Sequence, residues 1–471
     1  MNYTGITYDS RKVQPGDIFV AIPGAKQDGA DFIPQAIANG AKLIVAEKEV
    51  PVPPGVEFKK VASARLALAE LACEFYGYPS RKLKVIGITG TNGKTTTAYL
   101  ICSILEKAGY KVGLIGTIDS NLTTPESSNL QRMLAEMVEQ GVTHCVMEVS
   151  SHALAQERVH GIEFAVAVFT NLTHDHLDYH KNMDEYLKTK LKLFRQIAAN
   201  GVAIINIDDP HGKDFVEAVQ GEVITYGVTQ AKHELRSTRQ NEFDTKVTDI
   251  AVKPEMMMLK INSIELRTPL IGMYNVYNIA AAFQCGLALG ISQRTIKEGI
   301  EALKNVPGRG ERVNCGQPFA VIVDFAHSPD SLQKLLETYR PLTKGKLILV
   351  FGCPGERDRT KRPIMGRIAA ELADYVIVTT DDPHYENPQG IIEEIVSGFS
   401  NDKCQMTNVK LRYEPIIDRK TAIEKALSLA KAGDTVLIAG RGHEKYQDFA
   451  GQRVAIDDRE VVRERLNAIN H

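Results

Sequence analysis

Gly87-Ile88-Thr89-Gly90-Thr91-Asn92-Gly93-Lys94-Thr95-Thr96 decides how this chain is read. The apolar run Val85–Thr89 reads as a strand leading into the turn, and a helix is expected over Thr95–Ala108, with Gly109 as its stop. Glycines at a strand-to-helix turn let backbone N–H groups converge on phosphate oxygens, and the helix N-terminus adds a field that favours anions. In loops of this kind the lysine, here Lys94, reaches the β- and γ-phosphates and the next hydroxyl, Thr95, ligates Mg²⁺. The strict G-x-x-x-x-G-K-[ST] spacing is not met, because Ile88 holds the first glycine position and Gly87 falls one residue early. A chance glycine-rich turn would not need this strand–loop–helix setting. A phosphate loop is expected, with ATP as its nucleotide.

Outward from the loop, short apolar runs alternate with helical stretches, the pattern of an α/β chain. Strands are expected at Ile18–Ile22, Lys42–Ala46, Val112–Ile115, Cys145–Val149, Ala165–Thr170, Ala320–Asp324, Leu347–Phe351, Tyr375–Val378 and Thr435–Ala439. Helices are expected around Phe32–Asn39, from Ala64 to the Tyr76-Gly77-Tyr78-Pro79 stop, and over Asn278–Leu289, where Asn278 suits an N-cap. Gln230–Thr248 is polar and weakly patterned. A length of 471 residues suggests about three domains. Breaks are expected near Lys82 and at Asn305-Val306-Pro307-Gly308.

Composition narrows the class. Apolar residues make up 44% and charged residues 24%, the balance of a folded chain. The 56 Lys and Arg against 58 Asp and Glu leave a net charge of −2, which excludes a globally basic nucleic-acid binder and an acidic tail. Seven cysteines without a C-x-x-C pair suit a reducing compartment. Met1–Gly5 has no basic-then-apolar leader, and no apolar run is long enough to span a bilayer, so a cytoplasmic protein without membrane insertion is expected.

Most unusual residues fall just after expected strands, where ligands gather in open parallel sheets. Glu148 at a strand end suits Mg²⁺ opposite the loop. The stretch Thr170–His180 holds His174, His176 and Asp178, close to an H-x-H-x-D-H zinc-hydrolase pattern, but Tyr179 stands where its last histidine belongs. A zinc-dependent hydrolase is therefore a rival reading, and a P-loop switch protein is another. Downstream, Leu187, Leu191 and Phe194 share one helical face. Lys190 projects along it, whereas Lys188 and Lys192 point away. Periodicity alone would have Lys190 snorkel to water.

The form GTNGKTT, together with Glu148 and the loops of the last third, resembles the Mur ligase family over essentially the whole chain. Tyr8-Asp9-Ser10-Arg11 marks its MurE-type branch. The resemblance implies a three-domain α/β architecture: an N-terminal substrate domain (1–82), a central P-loop ATPase domain (83–306) and a C-terminal Rossmann-like domain (307–471). It implies an ATP- and Mg²⁺-dependent ligase that turns the D-Glu carboxylate of UDP-N-acetylmuramoyl-L-alanyl-D-glutamate into an acyl phosphate and joins it to a diamino acid. The partners implied are small molecules, the protein acting as a monomer without nucleic acid. A folylpolyglutamate synthetase-like ligase is the nearest rival within this class, and the N-terminal module speaks against it.

Residue by residue, the resemblance places Lys94, Glu148, His176 and Lys190 at the catalytic centre. Thr95, Glu148, His176 and Lys190 ligate metal there, Lys190 as a carbamate. ATP is held by Gly90, Thr91, Asn92, Gly93, Lys94, Thr95, Thr96, Asn278 (with Asn275 nearby), Asp324 and His327. Ser328 and Asp330 are expected to be capping residues. Ser10, Lys26, Gln27, Thr123, Thr124, Ser150, Gln156 and Arg158 contact the UDP-muramoyl dipeptide, where a guanidinium suits a carboxylate. Arg357, Asp381, Asp382, Pro383, His384, Gly440 and Glu444 receive the incoming amino acid, Glu444 suiting a distal ammonium. Diaminopimelate ligases of the family read Asp-Asn-Pro-Arg where this chain reads Asp381-Asp382-Pro383-His384. Histidine offers no permanent bidentate fork, so L-lysine or a similar diamino acid is favoured over meso-diaminopimelate, with Lys445 a possible substitute cation.

Overall fold

The computed structural model describes residues 2–24, 27–118, 122–173, 175, 179–228, 245, 247–399 and 412–470. Lys26, His174 and His176 lie outside the described residues, as does most of Gln230–Thr248.

The phosphate loop follows the strand Lys84–Thr89 and enters the helix Lys94–Lys107. That strand lies inside a six-stranded sheet in the order Glu222–Tyr226, Ile197–Asn206, Phe164–Phe169, Lys84–Thr89, His144–Glu148, Val112–Ile115. Every pairing in it is parallel, so all the carboxyl ends share one edge. Near-continuous burial of Val85, Ile86, Ile88, Val166 and Val168 is what a sheet covered on both faces requires. The helices Lys94–Lys107, Met273–Ala288 and Gln293–Ala302 pack together over one face. Gly299 meets Ile104 so closely that an added Cβ would lie 2.6 Å from its Cα.

Before this sheet lies a four-stranded parallel sheet of Ile6–Thr7, Ile18–Val20, Leu43–Ala46 and Glu57–Lys60, with the helix Ala64–Phe75. After it comes a six-stranded sheet in the order Glu311–Arg312, Ala320–Asp324, Thr435–Ala439, Leu347–Phe351, Tyr375–Val378, Arg412–Pro415. Only the first pair of strands there is antiparallel.

The expected strands recur to within one or two residues at their ends. A three-stranded antiparallel sheet, Val247–Lys253, Met256–Ile261 and Ile264–Thr268, was not anticipated, although Met257, Leu259 and Ile261 are buried in the alternation of a strand with one covered face. The helix expected to begin at Asn278 begins at Met273, with Gly272 as its N-cap. Asn278 is therefore an interior helical residue rather than a cap.

Candidate active site

A cleft of about 400 Å³ opens where the central and last sheets present their carboxyl ends. Thr91–Thr96, Thr123, Glu148, His327, Arg357, Asp381, Asp382, His384, Gly440 and Glu444 all line it. Gly90, Asn278, Asp324, Lys190 and Pro383 do not reach the lining, nor do Ser10, Gln27, Thr124, Ser150, Gln156 and Arg158.

In the loop, Gly90 (φ 150°) and Gly93 (φ 86°) take left-handed conformations that a side chain disfavours. The second also faces Asn278, whose Oδ1 would lie 2.3 Å from an added Cβ. Asn278 is buried, and its amide donates to Asn275 Oδ1 at 3.1 Å. Lys94 Nζ donates to the carbonyls of Gly90 (2.9 Å) and Thr91 (2.7 Å), and burial lowers its pKa from the usual lysine range.

Opposite, Glu148 is buried at its strand end. Its Oε2 accepts from Thr95 Oγ1 at 2.9 Å and from Thr117 Oγ1 at 3.1 Å, and its Oε1 accepts from Thr117 N at 3.0 Å. A carboxylate and a hydroxyl held together beside a phosphate loop form a hard-oxygen set of the kind Mg²⁺ takes. Lys190, only 1% exposed, donates to Gly90 O at 2.9 Å and lies 4.5 Å over the Tyr186 ring. Burial, followed by the nearby Lys94, holds its pKa well below the usual lysine range. The lysine does not snorkel. Of its neighbours, Lys188 is exposed, while Lys192 turns to Glu157 at 2.7 Å.

Beside Glu148, Thr124 Oγ1 donates to Glu148 O at 2.8 Å and accepts from Ser150 N at 3.1 Å. Ser150 caps the short helix Ser151–Ala155. Arg158 is buried, donates to Thr124 O at 2.9 Å and to Gln156 Oε1 at 2.6 Å, and pairs with Glu126 at 3.1 Å. These four residues form one network, while Thr123 reaches it through Thr117 at 3.1 Å. Ser10 is buried and donates to Gln35 Oε1 at 2.7 Å, whereas Gln27 is exposed.

From the last sheet, Asp324 accepts from Gly310 N (2.6 Å) and Ala326 N (2.8 Å), and burial pushes its carboxyl up to about 6. His327 Nδ1 lies 2.8 Å from Phe325 O, and burial lowers its pKa. A neutral ring donating there keeps Nε2 as an acceptor. Ser328 caps the helix Pro329–Tyr339 with a full capping box. Asp330 is no cap: it sits in the first turn and accepts from Asn92 Nδ2 at 3.1 Å.

Where the last sheet lines it, the cleft is acidic. One oxygen each of Asp381, Asp382 and Glu444 lies within 4.8 Å of the others. Beneath them Arg441, fully buried, donates to Asp382 Oδ1 at 2.6 Å and reaches Asp381 at 3.4 Å and Glu444 at 3.4 Å. Burial raises the Glu444 carboxyl to about 8. His384 adopts φ 49°, and its Nδ1 lies 3.6 Å from Asp448. Arg357 is exposed on the rim, and Lys445 is not part of the lining.

Arg309 was missed. It donates to Thr95 Oγ1 at 3.3 Å while stacking 4.2 Å over the Phe325 ring. Its setting, Val306-Pro307-Gly308-Arg309-Gly310, reads as a linker, and the basic residue between two glycines is the signal that could have revealed it. Arg441, Asp175 and Lys361 were also passed over. Asp175 lines the cleft, as does Lys361, whose ammonium donates to His327 O at 2.9 Å.

An enzyme that activates a carboxylate with a nucleotide and joins it to an amine must bring both ends of that chemistry to one cleft, and this chain is of the class of ATP-dependent acid–amino-acid ligases. It belongs to the Mur ligase family: residues 2–76, 88–286 and 308–442 match the family's catalytic, middle and glutamate ligase domains. The UDP-N-acetylmuramoyl-L-alanyl-D-glutamate–2,6-diaminopimelate ligase of Syntrophomonas wolfei is 44% identical over 98% of this chain and 94% of its own. The ligase of the same name from Clostridium botulinum is 44% identical over 98% and 95%. A solved structure of a ligase with that name superposes with a TM-score of 0.66 at 31% identity, covering 100% of this chain and 96% of the other.

These relatives remove the zinc-hydrolase, switch-protein and folylpolyglutamate readings. They are named for 2,6-diaminopimelate, whereas the reading of His384 favoured L-lysine. That inference let one position decide a pocket that has a further cation at its rim, Arg357. Among the described residues no helix is long and apolar enough to cross a membrane.

Proposed function

We propose that this ligase joins 2,6-diaminopimelate to the D-Glu carboxylate of UDP-N-acetylmuramoyl-L-alanyl-D-glutamate, with ATP and Mg²⁺, as a cytoplasmic monomer making peptidoglycan precursors. The observation that carries the reading is the acidic trio Asp381, Asp382 and Glu444 lining the same cleft as Lys94 and Thr95. A diamino acid has a second ammonium that such a trio suits, and Arg357 at the rim suits a carboxylate.

Three units divide the work, with boundaries near residues 82 and 306. Ser10, Lys26 and Gln27 of the first hold the UDP-sugar. Thr123, Thr124, Ser150, Gln156 and Arg158 hold the peptide, Arg158 gripping a carboxylate. Gly90–Thr96 hold the phosphates, with Asn278, Asp324 and His327 towards the nucleoside. Thr95 and Glu148, with His176 and a carbamate on Lys190, would hold Mg²⁺, which neutralises charge on the transferring phosphoryl group when bound. Lys94 and the loop N–H groups stabilise the same charge. The D-Glu carboxylate attacks the γ-phosphorus, and ADP leaves. The amine of the incoming amino acid then attacks the acyl carbon, and phosphate departs from the tetrahedral intermediate. Asp381, Asp382, Pro383, His384, Gly440 and Glu444 orient that amine by holding the far end of its molecule.

The test mixes enzyme, ATP, Mg²⁺ and UDP-muramoyl dipeptide with diaminopimelate, L-ornithine or L-lysine. Phosphate release and a tripeptide product are expected with diaminopimelate foremost. Preference for L-lysine would overturn the amino-acid assignment, and full ATP turnover without either organic substrate would overturn the ligase mechanism.

A further inference from the structure

Behind the acidic trio lies a fully buried ion pair to which the catalytic scheme gives no role. Arg419, 1% exposed, opens the helix Arg419–Leu429, and Asp458, 1% exposed, opens the last helix. Arg419 Nε and Nη2 donate to Asp458 Oδ1 and Oδ2 at 2.8 and 2.7 Å, a bidentate fork that fixes the plane of the guanidinium. Its outward donors then meet two backbone carbonyls: Nη2 donates to Ala439 O at 3.0 Å and Nη1 to Thr380 O at 3.4 Å.

Those carbonyls belong to the last residues before Asp381 and Gly440. They lie at the carboxyl ends of two strands that are not neighbours, Tyr375–Val378 and Thr435–Ala439, with Leu347–Phe351 between them. No ladder hydrogen bond can set the distance between the two loops, so it is set by side chains: Arg441 ties them through the carboxylates, and Arg419 through the backbone beneath. Gln447 completes the brace from the following hairpin: it is buried, and its Nε2 donates to Thr380 O at 3.1 Å and Asp381 O at 2.5 Å. An ion pair so buried is a poor way to gain stability, since desolvation consumes most of the Coulombic return. A fixed geometry is what it supplies.

We infer that Arg419, held by Asp458, is a positioning residue for the incoming amino acid, setting the separation of the Asp381–His384 and Gly440–Glu444 loops and thereby the selectivity for the far end of the substrate. The inference rests on the diaminopimelate reading of that pocket. Lysine at 419 presents one compact charge with three donors and cannot make the four bonds of the guanidinium, the bidentate fork among them. Asparagine at 458 keeps the shape of aspartate but loses its charge and one acceptor.

The experiment measures KM for all three substrates and kcat in the wild type, Arg419→Lys and Asp458→Asn, with thermal melts alongside. For folded variants the amino-acid KM is expected to rise roughly tenfold or more, the precision lost when a positioned group moves by an ångström. KM for ATP and for the UDP-muramoyl dipeptide should stay within about twofold, and the preference for diaminopimelate over lysine should narrow. Equal rises in all three KM values, or a lowered melting temperature with the amino-acid KM unchanged, would overturn the inference. If Arg419→Lys does not fold, the near-isosteric Asp458→Asn decides it. If it too fails to fold, the pair is a folding element and the inference is overturned. A wild type that does not saturate with diaminopimelate would instead fail the reading beneath it.

Discussion

Replacing Glu444 by glutamine removes one charge from the acidic trio with almost no change of shape, and its effect is expected to depend on pH. Burial, opposed by Arg441 and reinforced by Asp381 and Asp382, pushes the Glu444 carboxyl up to about 8. With that midpoint, roughly one pocket in ten carries the carboxylate at pH 7 and roughly one in a hundred at pH 6. Only the ionised form attracts a distal ammonium, and kcat/KM reports the free enzyme's ionisation. The attacking amine titrates alike in both proteins, so it cancels in their ratio. The wild-type to Glu444→Gln ratio of kcat/KM for diaminopimelate should therefore start near one at pH 6, where position 444 is neutral in both proteins, rise most steeply towards pH 8, and level off near pH 9. Stability runs the other way. A carboxyl raised in the folded state binds more protons folded than unfolded between its ordinary value of 4.5 and about 8. Its contribution is present below that window and is lost as pH rises through it. Melting temperatures of wild type relative to the variant should fall from pH 5 to 8. A ratio that stays flat from pH 6 to 9 would refute the reasoning.

Lys190, buried and held towards its neutral amine, is in the state that takes up carbon dioxide. Enzyme equilibrated with ¹³C-bicarbonate should show a carbamate carbon resonance that disappears in Lys190→Gln together with ligase activity, and its absence from the wild type would sink the assignment. At Gly93 the left-handed φ of 86° meets the close approach of Asn278, so alanine there costs at least about 1–2 kcal/mol. Calorimetric titration should find ATP binding weakened roughly 5–30-fold, and unchanged affinity would mean that the loop reshapes freely.

Legibility followed how local each signal is. The buried parallel strands read well because burial on both faces produces short unbroken apolar runs such as Val85–Ile88 and Leu347–Phe351. Residues flanking those strands, Glu148, Asp324, Asp381 and Gly440 among them, inherited that clarity. The helix at Met273 was placed five residues late because Asn278 imitates a cap, and only the packing of Gly93 against it shows why an asparagine stands inside the helix. Arg309, Arg419 and Arg441 were opaque for a different reason. Each has a defining partner far away in sequence, at 214 residues for Arg309, 39 for Arg419 and 60 for Arg441, which no window on the chain brings together.

That dispersion bears on how the cleft closes. Among the described residues, the polar contacts that join the phosphate-loop side to the last domain include Arg309 to Thr95, Asn92 to Asp330, and the His443 ring to the backbone of Thr117. Each contributes on the order of 1 kcal/mol, so together they can bias the closed form but not lock it. Arg309 differs from the other two in where it starts. Gly308 and Gly310 on either side adopt φ 62°, and an added Cβ at Gly308 would lie 2.1 Å from His443 N. The glycines bend the interdomain segment tightly enough to lay one guanidinium on the Thr95 hydroxyl of the phosphate loop. Under the proposed binding of nucleotide at Thr95, that contact would be shared or displaced on arrival, which would couple the filling of the phosphate site to the setting of the last domain. In the proposed mechanism, reactants held on separate domains would then meet only when the loop is loaded, the order that an acyl phosphate exposed to water requires.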